Sequence, residues 1–101
     1  MSFIDNPKNT ISCYVDALMV EEDCCDKWYI DGGYENHLIT FLITGYRNNT
    51  AKFNIYFWGE RVKDMCKLEK ADTREELILK ARNWLKDTIS ELIKLIAQRM
   101  E

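Results

Sequence analysis

The sequence has little of the chemistry that enzymes and metal sites need. Its 101 residues include one histidine, one proline and four glycines. That histidine, His37, is the only plausible general base, and no nucleophile signature surrounds any cysteine. Because no catalytic constellation can be assembled from these residues, we expect a protein that is not an enzyme.

Long apolar runs are also missing. The chain has no stretch of about eighteen apolar residues, the length that predicts a membrane-spanning helix. Its first residues, Met1 to Asp5, lack the basic and apolar regions of a secretory signal. We therefore expect a cytoplasmic protein with no membrane partner.

The four cysteines follow no metal or redox pattern. Cys24 and Cys25 are adjacent, whereas Cys13 and Cys66 stand alone. Two adjacent side chains rarely converge on one tetrahedral metal, and a CxxC motif is absent. We expect reduced thiols, no metal and no cofactor. The acids around the pair lack the alternating spacing of a calcium loop and predict an acidic surface loop: Glu21, Glu22, Asp23 and Asp26.

A long amphipathic pattern at the C-terminus predicts a helix over residues 73–100. Thr73 and Glu76 form a capping box, in which each side chain can bond the backbone N–H of the other residue. Apolar residues then recur at helical spacing: Ile78, Ala81, Leu85, Ile89, Leu92, Ile96 and Met100. We expect the row from Ile78 to Ile96 to face a sheet. Three further residues flank the row and form either a homodimer surface or a face covered by another segment: Leu77, Trp84 and Leu95.

Alternating apolar and polar residues predict an antiparallel hairpin in the middle of the chain. One strand covers residues 36–46, a loop turns the chain, and a second strand covers 51–58. Residues 27–30 and 61–68 supply further strands. The residues expected to face the helix are Ile39, Phe41, Ile43, Phe53, Ile55 and Phe57. The predicted fold is α+β: an antiparallel β-meander of three to four strands, packed on one face by the long C-terminal helix.

Residues 11–20 fit two different structures. A helix would bring together Ile11, Tyr14, Val15, Leu18 and Met19. A strand would bring together Ile11, Cys13, Val15, Ala17 and Met19. We favour the strand, because it would complete a hairpin with the acidic loop and the strand after it. Residues 1–10 are expected to be a flexible arm, and 11–101 a single domain.

The helical alternative for residues 11–20 gives the element order αβββα. The double-stranded-RNA-binding domain has the same order, but it places a lysine cluster at the start of its last helix. Here Arg74 is followed by Glu75 and Glu76, which would repel phosphate. The order of elements alone therefore does not predict RNA binding.

Large aromatic side chains are numerous for one small sheet. A single helix covers a single sheet face, so several of these rings are expected at the surface. The candidates for contact with a partner are Trp28, Tyr34, Tyr56 and Trp58. Trp, Tyr and Arg are over-represented at protein-binding hot spots. Exposed aromatic rings also stack on unpaired nucleobases. The basic side chains that could then reach phosphates are Arg47, Lys52, Arg61 and Lys63.

Charge is unevenly distributed along the chain. Residues 1–46 carry eight acids and two bases, a net charge of −6, whereas residues 47–86 carry six acids and ten bases, a net charge of +4. Segregated charge orients a partner and speeds association. We expect the acidic loop, Glu21 to Asp26, to contact a partner that has a basic surface.

These features favour an interaction protein. We expect a small, non-enzymatic, intracellular inhibitor that binds a host nucleic-acid-handling enzyme, in the manner of the anti-CRISPR proteins of phages and mobile elements. This expectation comes from size and composition and not from a motif. A nucleic-acid-binding module that uses an aromatic and basic sheet face is the alternative, and an antitoxin or immunity protein is a further one.

Overall fold

The computed structural model describes residues 7 to 99, which form two helices and six strands. The elements are α1 Pro7–Asp16, β1 Glu21–Glu22, β2 Trp28–Tyr34, β3 Ile39–Gly45, β4 Thr50–Phe57, β5 Glu60–Arg61, β6 Lys67–Lys70 and α2 Arg74–Arg99. A sheet with a long C-terminal helix is the predicted α+β class, which is therefore confirmed.

The strands form one antiparallel sheet whose spatial order follows the order of the chain. β1, β2, β3 and β4 are successive neighbours, and β5 and β6 both pair with the outer edge of β4. The register is illustrated by Ile43, which lies opposite Ile30 on β2 and Phe53 on β4. The predicted meander is confirmed, and the short strands β1, β5 and β6 extend it at both edges.

The preference for a strand over residues 11–20 is wrong, because residues Pro7–Asp16 form helix α1. Ile11 and Val15, one helical turn apart, are both buried in the core. Cys13, which a strand would place on the same face as these two residues, is exposed. The helical alternative, with its 3.6-residue period, is the one that residues 11–16 adopt, and residues 17–20 connect this helix to β1.

Contact with α2 holds α1 in place. The Arg82 guanidinium donates from Nη1 to the carbonyl of Val15 at 2.7 Å, at the end of α1, where the N–H of Leu18 donates to the same carbonyl at 3.1 Å. Helix α1 also takes in residues 7–10 of the predicted arm. Residues 1–6 of that arm lie outside the described part of the chain.

Helix α2 begins where its capping box predicts. The backbone N–H of Glu76 donates to Thr73 Oγ1 at 3.1 Å, and the N–H of Leu77 donates to the Thr73 carbonyl at 3.1 Å. The helix then runs without interruption over Arg74–Arg99. Met100, the predicted last residue of the helix, lies outside the described residues.

The buried row of α2 differs from the predicted row at its two ends. The buried apolar residues are Leu77, Ala81, Leu85, Ile89 and Leu92. Leu77 thus belongs to the core and not to a flanking surface, while Ile78 and Ile96 are only partly buried. The apolar stripe of α2 is wide, so the helix can bury Leu77 in the core and leave Ile78 and Ile96 at the margin of the packed face.

The predicted flank of α2 does not form one surface. Trp84 packs on Phe53, with 5.1 Å between ring centroids, and its Nε1–H donates to the Met65 carbonyl at 3.0 Å. Leu95 is exposed, whereas Leu77 is buried. The three residues therefore lie in three different environments: Leu77 is in the core, Trp84 is partly buried against Phe53, and Leu95 is at the surface.

Both helices pack on the same face of the sheet. The predicted core positions Ile39, Phe41, Ile43, Phe53 and Ile55 are buried there, and Phe57 is half-buried. Trp28 joins them from β2, and its ring lies flat against Gly45 of β3, so that a Cβ at residue 45 would fall 1.8 Å from a ring atom. Within residues 7 to 99, both helices are used on this face, which leaves the other face of the sheet open.

Candidate functional site

The sheet face opposite the helices is formed by the residues that alternate with the core residues along each strand, most of which are polar. We call it the open face, and it consists of the outward positions of β3 and β4: Thr40, Leu42, Thr44, Lys52, Asn54 and Tyr56. Arg61 of β5 and Leu68 of β6 extend it at one edge, and Asp31 of β2 extends it at the other. All of these residues are half-buried or exposed, so a partner can reach them.

Trp58 stands at one end of the open face, in the turn between β4 and β5. Trp58 and Gly59 separate the paired residues Phe57 and Glu60, and both have positive φ angles, 56° and 79°. This is the pattern of a type I′ turn, whose first position favours Asn, Asp or Gly. A bulky residue with positive φ is an outlier that costs about 1–3 kcal/mol. The indole at this position is therefore not explained by turn chemistry.

The indole of Trp58 is also poorly covered. The residue is 58% exposed, and its ring meets the Phe57 ring edge-on at 6.1 Å between centroids. Its backbone is held, because its N–H donates to the Leu38 carbonyl at 2.9 Å. A large apolar side chain is thus presented to solvent from a fixed backbone.

The turn between β2 and β3 lies beside that of Trp58 and is strained as well. Glu35, Asn36 and His37 have φ angles of 54°, 55° and 65°, three successive non-glycine residues in the left-handed region. The His37 ring lies over Gly33, so that a Cβ on residue 33 would fall 2.3 Å from Nδ1. Gly33 pairs with Thr40, which places His37 at the edge of the open face.

We call this end of the open face the aromatic corner, and it comprises His37, Tyr56, Trp58 and Arg61. The register places Tyr56 opposite Arg61 on one side and opposite Thr40 on the other, and Thr40 in turn pairs with Gly33, beneath the His37 ring. Strained backbone clusters at binding and catalytic sites, where surrounding structure holds it in place. The sequence predicted Tyr56 and Trp58 as surface residues, but it gave no signal for the position of His37 beyond the turn-forming Asn36.

A shallow groove with cationic walls adjoins the aromatic corner, where β4 passes from β5 to β6. Its lining residues are Lys52, Asn54, Arg61, Cys66, Lys67 and Leu68. Arg61 is held across the open face, since its Nε–H donates to Asn54 Oδ1 at 3.0 Å. Lys67 pairs with Glu69 at 2.8 Å, and this contact lowers the pKa of Glu69. The groove is thus positively charged and offers polar donors.

Cys66 has a structural role in the wall of this groove. Between β5 and β6 the chain leaves the edge of β4, and the Cys66 thiol fills the gap. Its Sγ accepts the N–H of Ile55 at 3.4 Å and lies 3.8 Å from the Ile55 carbonyl. The thiol therefore takes the place of a backbone acceptor for the N–H of Ile55, while the Ile55 carbonyl accepts the N–H of Val62 at 2.9 Å.

The acidic loop is more ordered than a solvated loop. Glu21 and Glu22 form strand β1, paired with Tyr29 and Trp28. The carboxylate of Asp23 closes the turn that follows: its Oδ1 accepts the N–H groups of Cys25 and Lys27 at 2.8 and 3.1 Å. We call residues 21–29 the acidic hairpin.

Three of the four predicted acidic contact residues have partners within the chain. Asp23 Oδ2 accepts the hydroxyl of Tyr29 at 2.7 Å, and this bond, followed by that from the Cys25 N–H, lowers the pKa of Asp23. Glu22 forms a close ion pair with Arg74 at 2.8 Å, and Asp26 a looser one with Arg47 at 3.9 Å. All four side chains remain exposed.

The charge asymmetry of the sequence is kept on the folded surface. Because the spatial order of the strands follows the chain, the acids Glu21 and Asp31 lie on β1 and β2. The bases Lys52 and Arg61 lie on β4 and β5, across the central strand β3. The open face therefore has an acidic side and a basic side.

Two of the predicted aromatic contact residues lie on the core side of the sheet. Trp28 is 1% exposed within the core, so it cannot contact a partner in the folded protein. Tyr34 packs on Tyr14 of α1, with 5.0 Å between ring centroids, and burial raises its pKa. The sequence indicates this core-facing position, because Trp28, Ile30 and Tyr34 are separated by even numbers of residues and so point to the same face of a strand.

The predicted phosphate-contacting bases are not all together. Lys52 lies on the open face, and Arg61 belongs to its aromatic corner. Arg47 lies in the β3–β4 turn, at the opposite end of the sheet, and Lys63 lies in the loop between β5 and β6. Two of the four bases are therefore positioned to act with Tyr56.

Other chemistry is sparse in the part of the chain that the structure describes. No three His, Cys, Asp or Glu side chains within it lie close enough to hold a metal ion. None of its helices is long and apolar enough to cross a membrane. No protein-family model, curated protein or solved structure matches this chain.

Proposed function

We propose that this chain is a non-enzymatic protein-binding module whose contact surface is the open face, centred on the aromatic corner. The observation that carries the proposal is Trp58, a 58% exposed indole on a strained turn that would be more stable with another residue. A tryptophan at such a position costs stability, and partner binding supplies a reason for its presence.

The surroundings of Trp58 support the same function. Tyr56 and Arg61 are side by side on the paired strands β4 and β5, and Trp, Tyr and Arg are the residues enriched at hot spots. Arg61 is held in place by Asn54, so less side-chain entropy is lost when a partner binds. The β3–β4 ladder provides a rigid base for these side chains.

The proposed partner is a protein with a basic surface, and the proposed role is inhibition of a host nucleic-acid-handling enzyme by a phage or mobile-element protein. The acidic edge formed by Glu21 and Asp31 supports such a partner, since it gives one side of the open face a negative potential. Glu22, Asp23 and Asp26 lie close to this edge, and each is also paired or hydrogen-bonded within the chain. An antitoxin or immunity protein would use the same surface on a different target.

Site-specific photo-crosslinking tests which surface binds. A crosslinking residue at Leu42 samples the open face, and one at Leu79 samples a solvent-exposed position of α2. In host cells we expect one crosslinked partner from Leu42 and none from Leu79. A partner captured from Leu79 alone would overturn the proposal, as would the absence of any adduct from Leu42.

The cationic groove supports a second function, the binding of single-stranded nucleic acid. Lys52, Arg61 and Lys67 line the groove, and Tyr56 lies opposite Arg61 on the neighbouring strand, so that phosphate contacts and a stacking ring are available on one face. Affinity for an oligonucleotide should then fall steeply with salt, and Lys52→Ala should reduce that slope by about 1. No binding at low salt would remove this function and leave protein binding.

A further inference from the structure

Cys24 and Cys25 form a pair of exposed thiols at the tip of the acidic hairpin. Their Sγ atoms lie 3.9 Å apart, and both residues are exposed. The other cysteines differ: Cys13 is exposed on α1, and Cys66 is half-buried and bonded to Ile55. The chain thus holds one adjacent dithiol and, in Cys13, one exposed thiol that belongs to another element.

The turn keeps the two thiols together. Asp23 accepts the Cys25 N–H at 2.8 Å and the Lys27 N–H at 3.1 Å, and its own N–H donates to the Lys27 carbonyl at 3.0 Å. These three bonds close a short loop around the pair. The thiols are therefore held near each other and open to small reagents in solution.

We propose that Cys24 and Cys25 are a reversible modification site, which closes to a vicinal disulfide by exchange with a low-molecular-weight disulfide such as oxidised glutathione. One thiolate attacks a glutathione sulfur, forms a mixed disulfide and releases one glutathione thiol. The neighbouring thiolate then attacks the mixed disulfide at the protein sulfur and releases the second glutathione. The protein loses two hydrogens, and one oxidised glutathione becomes two reduced molecules.

Adjacency explains why the bond is reversible. Consecutive Cα atoms are about 3.8 Å apart, closer than the usual range of about 4.4–6.8 Å for disulfides. Ring closure must therefore twist the peptide between the two cysteines, and such strained, exposed disulfides are readily reduced. The twist reorients the Cys25 N–H, which donates a hydrogen bond to the Asp23 carboxylate. Closing the disulfide should therefore alter the turn of the acidic hairpin that Asp23 holds.

The test compares wild type, Cys24→Ser and Cys25→Ser after treatment with excess oxidised glutathione and acid quenching. Digestion after Tyr14 or Leu18 separates Cys13 from the pair for mass spectrometry. In wild type we expect the pair to lose two hydrogens while Cys13 keeps one glutathione, because Cys13 has no neighbouring thiol in the sequence. Each serine variant should keep one glutathione on the remaining cysteine of the pair.

Three results would overturn the proposal: stable glutathione adducts on Cys24 or Cys25 in wild type, an unreacted pair beside a modified Cys13, or disulfide-linked dimers through the pair. Both serine changes are at exposed positions, and circular dichroism checks that the fold is kept. An amide spectrum should show movement of the Cys25 N–H on closure, and an unchanged signal would contradict the link to Asp23. None of these outcomes depends on the proposed partner.

Discussion

The hydroxyl of Tyr29 donates to Asp23 Oδ2 at 2.7 Å, and this bond crosses the acidic hairpin from β2 to its turn. It moves two pKa values in opposite directions, since it lowers that of Asp23 and raises that of Tyr29. The carboxylate that the sequence offers as a partner contact is thus also the residue that holds the turn.

This bond predicts a pH dependence at the acid end. The pKa of Asp23 is below its unfolded value of about 3.9, so its contribution to stability is present above that pH and is lost as the pH falls through the folded pKa. The raised pKa of Tyr29 gives the reverse: its contribution is complete below about pH 10 and is lost as the pH rises through the folded pKa.

Tyr29→Phe tests this coupling. Removing the hydroxyl should raise the pKa of Asp23 towards its ordinary value, as followed by carboxyl NMR shifts during a titration. The control is Glu69 on β6, far from this hairpin. Its pKa is lowered by Lys67 of the same strand and should not change. An unaltered Asp23 titration in Tyr29→Phe would show that the hydrogen bond is absent in solution.

Cys66→Ala should destabilise the protein by about 1–3 kcal/mol, because it leaves the N–H of Ile55 without its sulfur acceptor. Cys13→Ala removes a thiol of the same kind from an exposed position and should change stability by less than about 0.5 kcal/mol. Urea unfolding of both variants measures the difference. Equal stabilities would mean that the thiol does not substitute for a backbone acceptor.

Gly45→Ala should be strongly destabilising for a different reason. The Trp28 ring occupies the space of the added methyl, so that either the ring or β3 must move. Overpacking of this kind costs about 1–3 kcal/mol. Thermal unfolding gives the size of the effect, and wild-type stability for Gly45→Ala would contradict the close approach of Trp28.

Trp58→Asn should stabilise the fold, in contrast to the previous two changes. It creates an Asn-Gly turn, the preferred type I′ sequence, and relieves a strained backbone position. We expect a gain of about 0.5–2 kcal/mol in urea unfolding. If the variant were instead less stable than wild type, the packing of the indole on Phe57 would explain why the residue is present.

Sequence patterns predicted the elements that local rules determine. The capping box at Thr73 and the alternation along β3 and β4 are local, so the start of α2 and the core face of the sheet are as expected. Residues 11–20 fit two periods, and what distinguishes them is contact with α2, including the bond from Arg82 to the Val15 carbonyl. That contact is distant in sequence, so periodicity alone did not resolve it.

The candidate site was partly predictable for the same reason. Tyr56 was expected on the second face of the sheet because it alternates with Ile55 and Phe57. The placement of His37 over Gly33 depends on three left-handed residues in a turn, and no residue pattern in that turn demands them. The basic side of the open face lies across β3 from the acidic side because of the order of the strands in the sheet. Local sequence patterns do not determine that order.

The account rests on Trp58 as the centre of a protein-binding surface. The most direct measurement compares the proteins retained from a host lysate by wild type, Trp58→Asn and Leu79→Ala. Leu79 is the matched control, because it is an apolar residue that is also 58% exposed, but on α2. We predict a partner that wild type and Leu79→Ala retain alike, and that Trp58→Asn binds at least about tenfold more weakly despite its greater stability. Equal retention by all three proteins would contradict the account.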